Sequence, residues 1–101
     1  MANVILINPF EVPADAGEQF VTKWSEAAEY MRRQDGFVAT RLHRALAPDA
    51  RFGFVNVADW ESPRHFQAAV QNPEFAALAK DAPPSSPSLY EVVRTIEGGS
   101  S

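Results

Sequence analysis

The stretch that most constrains the fold is residues 37–60, FVATRLHRALAPDARFGFVNVADW. Two runs of alternating character, 37–46 and 51–60, flank APDA, whose Pro and Asp are turn chemistry. This pattern predicts a hairpin of two antiparallel strands. In the first run Phe37, Ala39, Arg41 and His43 share one face, and Val38, Thr40, Leu42 and Arg44 the other. In the second, Phe52, Phe54, Asn56, Ala58 and Trp60 share one face, and Val55, Val57 and Asp59 the other. Both faces carry apolar residues, so both sides of the sheet need cover.

Helix signals bracket the hairpin. Upstream, NVILINPF at 3–10 is a short apolar run that predicts a buried strand, ended by Val12 and Pro13. Asp15 and Glu18 have capping-box spacing, and the helix they open is predicted to reach about Arg33. Phe20, Trp24, Ala27, Ala28 and Met31 fall on one face of it. Arg32 and Arg33 suit the negative end of the helix dipole, and Gly36 is the stop. Downstream, Ser62 is the cap of a helix with Pro63 at its first position, carrying Phe66, Ala69 and Val70. Asn72-Pro73 breaks it and starts a second short helix through Phe75, Leu78 and Lys80. DAPPSSPS at 81–88 is a Pro/Ser-rich loop, a candidate lid or dimer contact. LYEVVRTI at 89–96 is the last predicted strand, with Tyr90, Val92 and Arg94 on one face. The order β-α-β-β-α-β predicts an α+β, ferredoxin-like fold with an antiparallel sheet. The 101 residues support a single domain over 1–97, with 98–101 as a flexible tail.

Composition narrows the chemistry. Cys is absent, which removes disulfides and thiolate catalysis and fits a cytoplasmic protein. No basic start precedes a long apolar run, so neither a signal peptide nor a membrane span is expected. The glycines at 17, 36, 53, 98 and 99 form no phosphate-binding loop, so no nucleotide cofactor is expected. The two histidines, His43 and His65, lie on different predicted elements without a carboxylate at ligand spacing, so no metal site is expected.

Residues 51–57, RFGFVNV, resemble the strand with which an RNA recognition motif stacks bases on aromatics. Phe52 and Phe54 sit at the stacking positions. The Gly after Arg51 is missing, however, Val57 replaces the last aromatic, and Ile5 stands where the first strand would offer another. The net charge of −4 opposes a phosphate backbone, so no nucleic-acid partner is expected. A pocket accounts for the strand better. Asn56 in the middle of an apolar strand needs hydrogen-bond partners, from a neighbour or from a ligand. Trp60 on the same face is either a staple before the Ser62-capped helix or a donor to that ligand.

Three segments carry a family resemblance: FEVPADAGEQFVTKW, DGFVATRLHR and FVNVADWESPRHFQAAVQNPEF. Together they resemble the antibiotic biosynthesis monooxygenases, small dimeric α+β barrels. Asn56-x-x-x-Trp60, followed by Glu61-Ser62, resembles the strand–helix junction of the polyketide anthrone oxygenases. The resemblance implies that Asn56 and Trp60 bind substrate and stabilise an oxyanion. It implies a homodimer and a monooxygenase without cofactor, acting with O2 on an aromatic, polyketide-like or quinol substrate. Such a substrate passes an electron to O2 directly once deprotonated. The protein then orients it, relays a proton and stabilises charge in a water-poor cavity. His43, an imidazole, is the candidate for proton transfer. Trp24, Met31, Phe66 and Leu78 are candidate apolar walls, Phe52 and Phe54 further wall residues, and Tyr90 and Arg94 candidate contributors. Haem-degrading members of the family use a first-strand Asn, a helix Trp and a helix His. Asn8 matches the first, but the other two fall at Ala69 and Ala79. The alternative reading is a non-catalytic small-molecule or haem-binding protein of the same fold.

Overall fold

The computed structural model describes residues 3–99. Four strands and three helices follow one another as β1 (Val4–Phe10), α1 (Gly17–Met31), β2 (Phe37–Arg44), β3 (Phe54–Trp60), α2 (Pro63–Gln71), α3 (Pro73–Leu78) and β4 (Ser88–Tyr90). The sheet is antiparallel, in the order β2-β3-β1-β4. This is the ferredoxin-like α+β arrangement that the hairpin and its flanking helices predict. The helices cover one face, since that face of β1 and β3 supplies the buried side chains. Leu6, Ala58 and Trp60 pack with Ala69 of α2, and Phe10 and Phe54 pack with Phe20 of α1. Trp60 is the anchor at 1% exposure, meeting Phe37 and Phe66 edge-on at ring separations of 5.3 and 5.7 Å. Each such contact adds about 0.5–1.5 kcal/mol beyond area burial.

Register fixes which residues share a face. Asn8 stands opposite Asn56, and Leu6 opposite Ala58. On β2 a bulge lies between Phe37 and Ala39, so Phe37 pairs with Trp60 while Ala39 pairs with Asp59. The extra residue flips the alternation. Phe37, Thr40 and Leu42 therefore lie on the helix side, and Ala39, Arg41 and His43 on the far side. Strict alternation had placed Phe37 and His43 on one face; the bulge separates them.

Several element ends differ from expectation. Asp15 makes no cap: Ala14–Ala16 form one tight 3-10 turn, and the N-cap of α1 is Ala16 without a side-chain hydrogen bond. The hairpin closes where Ala45 N–H donates to Gly53 C=O (2.8 Å), so β3 begins at Phe54 and not at Arg51. The last strand stops at Tyr90. Tyr90 pairs with Ile5, and β1 starts one residue earlier at Val4, so antiparallel pairing runs out there. Residues 91–99 take no regular form, and Val92, Val93 and Ile96 are exposed. Of the expected tail, residues 100–101 lie outside the described residues.

The cap of α2 is as expected, with the Ser62 hydroxyl accepting from His65 N–H. Asn72 caps α3 in the same way through Glu74 N–H (2.9 Å). Tyr30, 2% exposed, ties α1 to α2 by donating its hydroxyl to the Ala69 carbonyl at 2.8 Å. No helix among the described residues is long and apolar enough to cross a membrane.

Candidate active site

Between the helices and the sheet lies a cavity of about 1280 Å³. It exceeds the range of about 300–1,000 Å³ usual for small-molecule sites, leaving room for a polycyclic guest. Its floor is the helix-side face of β1, β2 and β3, including Asn8, Thr40, Asn56, Ala58 and Trp60. Trp24, Ala27 and Met31 of α1 form one wall, and Phe66, Phe75 and Leu78 of α2 and α3 another. The Pro/Ser-rich loop forms the third, through Asp81, Pro83, Ser85 and Pro87 among others. That loop is fastened along β1: Glu11 N–H donates to Pro84 C=O (2.9 Å), and Ser86 N–H to Pro9 C=O (3.2 Å).

Three polar side chains stand together on this apolar floor. Thr40 Oγ1 lies 2.5 Å from Asn56 Oδ1 and 3.4 Å from the Val57 carbonyl. The short contact lies within the O–H···O range and below that of N–H···O. Thr40 therefore donates, and the Asn56 amide turns its oxygen toward β2 and its NH2 away. That NH2 makes no hydrogen bond among the described residues. Directly opposite on β1, Asn8 Oδ1 is shut off from solvent and has no partner. A buried acceptor left unpaired costs about 1–3 kcal/mol. The floor thus offers the unused N–H groups of Asn56, beside an Asn8 whose unpaired oxygen is sealed from the cavity.

Of the residues singled out from the sequence, Asn8, Trp24, Met31, Asn56, Trp60 and Phe66 line this cavity. Five do not. His43 lies on the far face, exposed, with Nδ1 3.2 Å from the carbonyl of its cross-strand partner Val55. Phe52 precedes β3 and packs beneath the Arg51 guanidinium, 4.9 Å from the ring centre. Phe54 is core, covered by Phe20 at 4.9 Å. Tyr90 pairs with Ile5, so it faces away from the helices and is 51% exposed. Arg94 lies beyond β4, exposed. Thr40 was not singled out. Its signal was its place two residues from Leu42 on the apolar parity of the strand, but the side of the sheet depended on the bulge.

Residues 3–81 match the family model for antibiotic biosynthesis monooxygenase. A heme oxygenase (mycobilin-producing) of Mycobacterium tuberculosis is 37% identical over 76 residues, which span 75% of this chain and 70% of that protein. The crystal structure of a putative monooxygenase from Shewanella loihica is similar with a TM-score of 0.83 at 36% identity, covering 93% of this chain and 97% of that one. SnoaB, a cofactor-independent oxygenase from Streptomyces nogalater, is similar with a TM-score of 0.81 at 27% identity, covering 97% of this chain and all of that one (100%). The chain belongs to the antibiotic biosynthesis monooxygenase family.

Proposed function

We propose that the chain is a cofactor-independent monooxygenase that oxidises an anthrone-like aromatic with O2. One observation carries the reading: Asn56, its oxygen taken by Thr40, leaves its N–H groups unused on the floor of a large aromatic-walled cavity, opposite the unpaired Asn8. An aromatic ketone with a neighbouring hydroxyl satisfies both at once. Its oxygen accepts from Asn56 Nδ2, and its hydroxyl donates to Asn8 Oδ1 once the Asn8 side chain turns toward the cavity. Loss of a proton gives an enolate whose negative oxygen the Asn56 N–H groups stabilise. The enolate carbon passes an electron to O2 and then bonds to it. One oxygen atom stays on that carbon as a new ketone, the other leaves as water, and the CH2 gives up both hydrogens. No histidine lines the cavity. The proton passes to water at the exposed edge, where Glu18 and Asp81 stand.

Haem, which the M. tuberculosis relative's name implies, fits these residues poorly. The lining contains no histidine, cysteine or tyrosine to bind the iron. Ala79 lines the cavity, and Ala69 is buried in the core. A Soret band on haem titration, together with inert anthrone, would favour the binding-protein reading.

The reading includes a homodimer. The far face of the sheet carries Ile5, Ile7, Val55, Val57 and Tyr90, with no helix over them. A second copy covers that apolar face, and a monomer by light scattering at micromolar concentration counts against it.

The test of the site uses 1,8-dihydroxyanthrone, followed by the absorbance of its anthraquinone. Asn56→Ala lowers kcat by about 10²-fold, as loss of an oxyanion donor does. Trp60→Phe lowers it about tenfold, taken as roughly the share of one hydrogen bond. Unchanged turnover in both variants sinks the assignment.

A further inference from the structure

We propose that Thr40 is a positioning residue, whose hydroxyl sets which way the Asn56 amide faces. The inference rests on the oxygenase reading of the same cavity. Thr40 pairs with Ala58 across β2 and β3, and Asn56 lies two residues along, on the diagonal that side chains reach on one sheet face. Thr40 Oγ1 carries a single proton and has two acceptors within reach, Asn56 Oδ1 at 2.5 Å and Val57 C=O at 3.4 Å. The nearer acceptor takes it. With Oδ1 held toward β2, the planar amide can only turn its two N–H groups the other way. An amide flipped by 180° has nearly the same shape, so packing alone does not choose between the two orientations. Flipped, Asn56 would present a carbonyl oxygen to the developing oxyanion, and two partial negative charges would face each other. Ala58 adds no hydrogen-bonding side chain beside this pair, and Leu42, the direct cross-strand partner of Asn56, offers none either. Thr40 is the side chain whose hydroxyl meets the amide oxygen.

The experiment compares Thr40→Val, Thr40→Ser and Asn56→Ala. Valine keeps the shape and loses the hydroxyl; serine keeps the hydroxyl. With 1,8-dihydroxyanthrone, Thr40→Val lowers kcat about tenfold, the share of one hydrogen bond, with KM within about twofold. Thr40→Ser restores most of the loss. Adding Thr40→Val to Asn56→Ala changes nothing further, because the two act through one amide. A readout independent of turnover is the side-chain amide signal of Asn56 in a ¹H–¹⁵N spectrum, identified by its absence from Asn56→Ala. It shifts in Thr40→Val and returns in Thr40→Ser. A Thr40→Val protein with unmoved amide signals overturns the proposal, as does a kcat loss that serine does not restore. Failure of the oxygenase reading looks different: wild type, Asn56→Ala and Thr40→Val then leave the anthrone alike untouched, while the amide signals still decide whether Thr40 holds Asn56.

Discussion

Asn8 and Asn56 stand directly opposite each other on β1 and β3, yet they do not bond to each other. Two amides at cross-strand distance usually satisfy one another, since an unpaired buried polar group is costly. Here Thr40 has already taken the Asn56 oxygen, and the Asn8 oxygen is left without a donor. The Asn8 oxygen therefore stays unsatisfied among the described residues.

Asn8→Leu tests that statement. Leucine has nearly the same shape and removes the unpaired acceptor. The unliganded protein keeps its melting temperature or gains a few degrees, whereas binding of 1,8-dihydroxyanthraquinone, read by tryptophan quenching, weakens about tenfold. A fall in stability with unchanged binding would place Asn8 among ordinary core residues.

Tyr30 gives a prediction about pH. Burial raises its phenol above the ordinary value of 10.0; the Glu74 carboxylate adds to this, and Arg33 partly offsets it. The folded state therefore keeps the proton after the unfolded chain has begun to release it. Stability from this group is intact below about pH 10 and falls as pH climbs through the higher folded value. Tyr30→Phe leaves the Ala69 carbonyl unpaired and costs about 1–2 kcal/mol by urea unfolding at neutral pH. The gap between the two proteins stays constant from about pH 6 to 9 and narrows above about pH 10.

Gly36 is required twice over. Its φ is +83°, and a Cβ there would stand 2.2 Å from His65 Cγ and 2.4 Å from His65 Cβ. Gly36→Ala lowers stability by more than about 2 kcal/mol in the same urea assay. His65→Ala in that background recovers little, because the Cβ clash and the left-handed backbone both remain. Full recovery would show that the imidazole alone excludes a side chain.

Much of this fold was legible in the sequence. Alternation in 54–60, the Ser62-Pro63 cap and the Asn72-Pro73 break are local rules, and the structure keeps them, although the strand begins three residues later than the sequence predicts. Asn56 and Trp60 were legible on the same grounds, as a polar residue and an amphipathic one on an apolar strand face. What escaped was set by relations between strands. One bulged residue in β2 sent His43 to the far face and Thr40 to the cavity. The truncation of β4, which leaves Arg94 outside the sheet, follows from where β1 begins. Phe54 shared the right face but lay under Phe20, whose position depends on the angle of α1. No pattern within a single segment contains these facts.

The loop 81–88 has a consequence of a different kind. The cavity's floor is written in the sheet, where each residue also answers to register and core. Its third wall is a Pro/Ser-rich segment fastened to β1 through main-chain atoms, Pro84 to Glu11 and Ser86 to Pro9. Main-chain fastening is indifferent to most side-chain identities. Mutations that enlarge, narrow or polarise that wall redraw the accepted substrates while the folding core is left alone. The floor is bound by the fold and the third wall is not, a division that a laboratory selection for new ligands can exploit by randomising this loop alone.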